Sequence, residues 1–116
     1  MKKIYFSLLV LLFFSASLHA EELPQIIIVN RTGYTITNVY FSSTADDEWG
    51  LDRLAANAII RNNQSVTFTL SYPINEVNRY DIMVIDGDGD TYTKLNVRVS
   101  NNSRIEFTIE DWDDID

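Results

Sequence analysis

Asp86-Gly87-Asp88-Gly89-Asp90 sets three carboxylates at alternate positions with glycines between them. Such a segment can turn its oxygens toward one centre, as Ca²⁺ requires with its roughly six to eight oxygen ligands. The first five residues match the opening of an EF-hand loop. The match then fails: Thr91 stands where that loop needs Gly, Val97 stands where it needs a bidentate Glu, and the flanking pattern is not helical. Two roles remain open for Asp86, Asp88 and Asp90. They form either a Ca²⁺ site of another kind or an acidic, glycine-rich turn between strands, where Asp and Gly are favoured for their backbone geometry.

A second acidic cluster, Asp46-Asp47-Glu48-Trp49-Gly50-Leu51-Asp52, offers an aromatic platform among hydrogen-bond acceptors. Trp49, Asp47 and Asp52 are its candidate ligand-binding residues, suited to a sugar or a peptide. The alternative is a solvated loop whose Trp49 and Leu51 fold back over one end of the core, since buried aromatics contribute heavily in a small domain.

Catalytic chemistry has little to draw on. Residues 21–116 contain no His and no Cys, so they lack an imidazole base, a thiolate and a Cys/His zinc site. Lys94 is the only lysine in that stretch, and it falls on the polar face of an alternating segment. Paired carboxylates serve glycoside hydrolysis only inside a cleft, which a chain of this size can hardly build. The expectation is a protein that is not an enzyme and requires no cofactor, with Ca²⁺ as the one cation its turn suits.

The elements that position these residues have a period of two. Val66, Phe68 and Leu70 alternate with Ser65, Thr67 and Thr69; Leu95, Val97 and Val99 with Lys94, Asn96 and Arg98; Ile105, Phe107 and Ile109 with Arg104, Glu106 and Thr108. Each set describes a strand with one wet face. Tyr80 to Ile85 is apolar on both faces apart from Asp81. Gln25 to Asn30 and Tyr34 to Phe41 are β-branched and aromatic on either side of Arg31-Thr32-Gly33, which predicts a hairpin. A weaker strand, Ala58 to Arg61, precedes the turn Asn62-Asn63-Gln64. The spacing predicts an all-β fold, an antiparallel sandwich of about seven strands. Its expected core is Val66, Phe68, Leu70, Ile82, Val84, Leu95, Val97, Ile105 and Phe107. If the strands alternate up and down, the Arg31–Gly33, Asn62–Gln64 and Asp86–Asp90 turns share one end with the acidic C-terminal residues, and the Trp49 loop lies at the other.

Of the 116 residues, the first twenty carry Lys2 and Lys3, an apolar run from Ile4 to Phe14, and small and polar residues ending at Ala20. That is the pattern of a cleaved signal peptide of the bacterial type, with a run too short for the roughly 20 residues of a membrane span. The expected organisation is a signal at 1–20, a sandwich domain at 21–110 and an acidic tail at 111–116, exported to the periplasm or the cell exterior without membrane insertion after cleavage. Residues 21–116 hold all 17 acidic side chains but only 7 of the 9 basic ones, a net charge of −10. A polyanion of this density repels nucleic acid and anionic head groups, so the expected partner is a protein or a glycan.

Asn30-Arg31-Thr32-Gly33-Tyr34-Thr35-Ile36, then Trp49-Gly50-Leu51-Asp52-Arg53-Leu54, then Tyr80-Asp81-Ile82 with Asp86 through Lys94, resembles a family of small exported bacterial domains without an assigned activity, which also occur as modules in longer secreted proteins. The Trp-Gly-x-Asp-x-Leu loop and the Asp-x-Asp-Gly-Asp-x-Tyr-x-Lys hairpin are its most specific pieces. Asn63 stands where the family often has Gly. The resemblance implies a β-sandwich and export. Two classes of function follow: a non-catalytic exported interaction or structural module with a Ca²⁺-stabilised turn, or a small carbohydrate- or peptide-binding, inhibitor-like domain that uses the Trp49 loop.

Overall fold

A computed structural model describes residues 22–114; the expected signal segment lies outside the described residues. The chain is an all-β sandwich of two three-stranded sheets. Its strands are β1 (Gln25–Arg31), β2 (Ile36–Ser43), β3 (Ser65–Thr69), β4 (Arg79–Asp86), β5 (Thr91–Arg98) and β6 (Ser103–Thr108), followed by a single 3₁₀ turn, Ile109–Asp111. One sheet has the order β3-β1-β6 and the other β2-β4-β5. No helix among the described residues is long and apolar enough to cross a membrane.

Three features depart from the sequence-based expectation, each for a local reason. First, β1 and β2 are not a hairpin but belong to different sheets. Asn30 is fully buried and uses its whole amide at the corner: Nδ2 donates to the Tyr34 and Ile60 carbonyls at 2.6 and 2.8 Å, while Oδ1 accepts from the Thr32 amide and hydroxyl. Gly33, at φ +91°, completes a bend that carries the chain across the sandwich. β1 then pairs antiparallel with β3 and parallel with β6, so one of the four ladders is parallel. Second, the expected strand Ala58–Arg61 contracts to a single bridge between Ile60 and Ile36, leaving six strands. The following turn closes with Asn63 at φ +69°, a conformation Asn tolerates in place of Gly.

Third, Leu95 is not in the core but 69% exposed. Across from β4, Tyr80 pairs with Val97 and Ile82 with Lys94, so Leu95 and Asn96 together oppose Asp81. This is a β-bulge, with Asn96 at φ +54° and its amide donating to Asp81 Oδ1 at 2.8 Å. One extra residue reverses the in-out alternation. Before the bulge the inner face carries Tyr92 and Lys94, whose ammonium lies 5.6 Å from the centre of the Phe107 ring; after it, Val97 and Val99 point inward.

The other expected core residues do meet between the sheets. Phe68, Leu70, Ile82, Val84, Ile105 and Phe107 are buried with Ile26, Ile28, Ile36, Val39 and Phe41, and Val66 and Val97 pack half-buried against them. Phe41 and Phe68 meet edge to face across the sandwich at 5.2 Å, an arrangement aromatic rings favour.

Candidate functional site

Hydrogen bonds tie the Arg31–Gly33, Asn62–Gln64 and Asp86–Asp90 turns and the end of the chain into one end of the sandwich. The Gly33 amide donates to Asn62 Oδ1, the Gly87 amide to the Thr35 carbonyl, and the Asp113 amide to the Thr91 carbonyl. The shared end expected from the sequence is therefore the one observed.

The β4–β5 turn is built around Asp86, which is 2% exposed. Its Oδ1 accepts from the amides of Asp88 and Asp90 at 2.9 and 3.1 Å, and its Oδ2 accepts from the Tyr92 hydroxyl at 2.8 Å. The backbone closes with Asp86 and Gly89 amides donating to the Asp90 and Asp86 carbonyls, Gly89 at φ +84°. Asp86, Asp88 and Asp90 each offer a carboxylate oxygen, and these oxygens lie within 4.8 Å of one another. The trio is thus gathered, but its members differ. Asp86 already satisfies both oxygens inside the protein, whereas the Asp88 and Asp90 carboxylates face outward. Two outward carboxylates fall well short of the coordination Ca²⁺ seeks. The two ion pairs among the described residues, Arg31–Glu106 and Lys94–Asp111, leave the trio without a basic partner.

The residues after β6 dock instead of trailing away. Thr108 and Asp111 form a reciprocal capping box around the 3₁₀ turn: the Thr108 hydroxyl accepts from the turn's amides, and Asp111 Oδ2 accepts from the Thr108 amide. Asp111 Oδ1 meets the Lys94 ammonium at 3.0 Å. Asp113 accepts from the hydroxyls of Thr91 and Thr93, and Trp112 bridges to Tyr92. These contacts hold Trp112, 45% exposed, beside Tyr34, 49% exposed. Together with Ile109, Asp90 and the buried Tyr92 they line a cavity of about 230 Å³. Sequence reasoning missed this site. Its signal was present in Thr108-Ile109-Glu110-Asp111-Trp112, where capping residues and two large apolar side chains interrupt an acidic run.

At the opposite end, Trp49 and Asp47 line one cavity of about 150 Å³ with Asp46, Glu48 and Asp81. Asp52 is not among them. Its carboxylate is turned onto β2, accepting from the amides of Val39 and Leu54 and the side chain of Asn38, so it braces the loop and is not offered to a ligand. A neighbouring cavity of about 190 Å³ shares Asp46 and is lined by Arg53, Tyr72 and Tyr80. The Tyr80 hydroxyl is the one buried side-chain polar atom among the described residues without a hydrogen-bond partner, a state that costs about 1–3 kcal/mol.

Both buried tyrosines titrate above the ordinary range. Burial pushes up Tyr92, aided by its bond to Asp86 and by the Asp86 and Asp90 charges. Burial also raises Tyr80, with nearby Tyr72 adding and Arg53 opposing. A tyrosine raised in the folded state stays protonated while its unfolded counterpart ionises, so its contribution is complete below about pH 10 and is lost as the pH climbs toward the folded value. Melting temperatures should therefore fall above pH 10, and Tyr92→Phe should flatten that slope. An equal slope in wild type and Tyr92→Phe places the alkaline sensitivity elsewhere.

No family model and no curated protein matches the chain. Among solved structures it is similar to the NMR structure of a protein from Eubacterium rectale, with a TM-score of 0.56 and 14% identity over 78% of this chain and 81% of that one. At that identity the likeness is one of fold, and it supports the sandwich.

Proposed function

We propose that the protein is a non-catalytic, exported interaction module, and that its contact surface is the end formed by Tyr34, Asp88, Asp90, Ile109 and Trp112. The observation that carries this reading is a partly exposed aromatic and aliphatic cluster lining a cavity beside carboxylates that have no basic partner. Aromatic faces and carboxylates both attract organic cations, by cation–π and Coulomb terms respectively. The favoured partner is a lysine- or arginine-bearing protein segment, steered by a surface of net charge −10 over residues 21–116. A single ammonium needs no cage of oxygen ligands, which suits a turn whose innermost carboxylate is already committed to Tyr92 and two amides.

The test uses Trp112 as the reporter in a Trp49→Phe background, with tetralysine as the probe. Fluorescence should change saturably with tetralysine and not with tetraglutamate. Tyr34→Ala, which keeps the net charge, should weaken the binding about fivefold. Unchanged affinity in Tyr34→Ala reduces the effect to diffuse charge attraction and contradicts the assignment of the surface.

A further inference from the structure

Arg79 and Arg98 stand directly opposite each other in the β4–β5 ladder. Their neighbours Tyr80 and Val97 point into the core, so both arginines lie on the outer face of the sheet, and both are exposed. Like charges directly opposite in an antiparallel pair are destabilising, and nothing nearby offsets them. The ion pairs among the described residues are Arg31–Glu106 and Lys94–Asp111. Arg79 donates at 3.3 Å to the Asn96 carbonyl, a neutral acceptor, and the Arg98 guanidinium has no acidic partner among the described residues. Asp81, two residues along β4 from Arg79, gives its Oδ1 to the Asn96 amide. The Asp46–Glu48 loop follows β2, on the far side of β4 from β5, and pairs with neither arginine.

Residues 21–116 hold 17 acidic side chains against 7 basic ones, yet two of those few bases sit together unpaired. At the other end of the same hairpin, Asp88 and Asp90 have no basic partner either. β4 runs from Arg79 to Asp86, a span of roughly 23 Å at about 3.3 Å per residue. The two sets cannot meet within one molecule, but they can meet between two. A planar guanidinium stacks on aromatic faces and forks onto carboxylates, which are the two kinds of group the Tyr34–Trp112 end presents. We propose that the cationic partner of that end is the Arg79–Arg98 pair of a second copy of this chain; the inference rests on the reading of the Tyr34–Trp112 surface given above. The contact joins two different surfaces, so each copy added leaves one of each kind free. The net charge of −10 over residues 21–116 opposes association, but at physiological ionic strength charges more than about 8 Å apart are largely screened while close contacts persist.

The experiment is sedimentation of the exported protein and two double variants, from micromolar to millimolar concentration at physiological ionic strength. One variant, Arg79→Gln with Arg98→Gln, keeps the acidic end; the other, Asp88→Asn with Asp90→Asn, keeps the arginine pair. The average mass of the wild type should rise with concentration, and each variant alone should stay at the monomer mass. Mixed in equal amounts, the two variants should form a one-to-one complex, because each supplies the half the other lacks. All four changes are at the surface and should leave the fold intact, and complex formation checks this, since an unfolded variant could not supply its half. The proposal is overturned if the wild type stays monomeric throughout, if the arginine variant associates as the wild type does, or if the mixture forms no complex. Tetralysine separates this outcome from the parent reading. The arginine variant should bind it at Trp112 as tightly as the wild type; tetralysine binding by a wild type that never associates overturns the second copy as partner and leaves the Tyr34–Trp112 surface standing. Absence of tetralysine binding at Trp112 removes both.

Discussion

Phe107→Ala should lower the unfolding free energy by about 3–5 kcal/mol, the usual cost of emptying a fully buried aromatic site. Phe107 is completely buried on β6, opposite Asn30 of β1 in the parallel ladder. It also lies beneath the Lys94 ammonium, which pairs with Asp111 at the end of the 3₁₀ turn. Truncation therefore removes core volume and loosens the support of Trp112 in one step. The sequence contains no Cys, so no disulfide limits the damage, and a small domain has a margin of only about 5–15 kcal/mol. Urea denaturation reads the effect as a fall in midpoint at a similar slope. An unchanged midpoint is incompatible with this packing.

Asp86→Ala should cost about 3 kcal/mol, because it strips the acceptor from three donors at once. The Asp88 and Asp90 amides lie at the surface of the turn and can find water, but the Tyr92 hydroxyl is buried and cannot. Asp86→Asn should cost less, near 1 kcal/mol, since the amide oxygen still serves the two backbone donors and the Tyr92 hydroxyl can rotate to accept. Asp88→Asn should stay within about 0.5 kcal/mol of wild type, as surface changes do. The order Asp86→Ala, Asp86→Asn, Asp88→Asn separates a carboxylate built into the fold from one that only faces outward. If Asp88→Asn matched Asp86→Asn, and calcium stabilised only the wild type, the trio would be acting as a shared cation site.

The alternations at Val66–Leu70 and Ile105–Phe107 were legible because each is an uninterrupted strand with one face buried, where side-chain parity alone fixes the inner set. Leu95 was not legible. Its parity depends on one extra residue at Asn96, and that bulge is stabilised by Asp81 on the neighbouring strand, a partner a local pattern does not contain. The corner at Asn30 is similar: Asn-Arg-Thr-Gly fits a hairpin turn, and only the buried contact with the Ile60 carbonyl decides for a crossing between sheets. In the candidate site, the acidic turn was visible as a spacing of residues. Which of its three identical side chains is committed inward could not be, because that follows from the Tyr92 hydroxyl six residues away. Asp52 was misread for the same reason, its carboxylate being spent on the β2 backbone. Trp112 was hidden by charge, since an acidic run reads as solvated until the capping box that folds it back is recognised.

The Tyr34–Trp112 end is the surface proposed to meet a cationic partner. Amide and indole NMR shifts of the ¹⁵N-labelled protein, titrated with tetralysine at physiological ionic strength, test it most directly. Exposed long-range charge effects are screened there while close contacts persist. The largest shifts should cluster at Tyr34, Asp88, Asp90 and the Trp112 indole, with little change at Asp46, Asp47, Glu48 and Asp81. Shifts of equal size at both acidic ends, or none at Trp112, would contradict it.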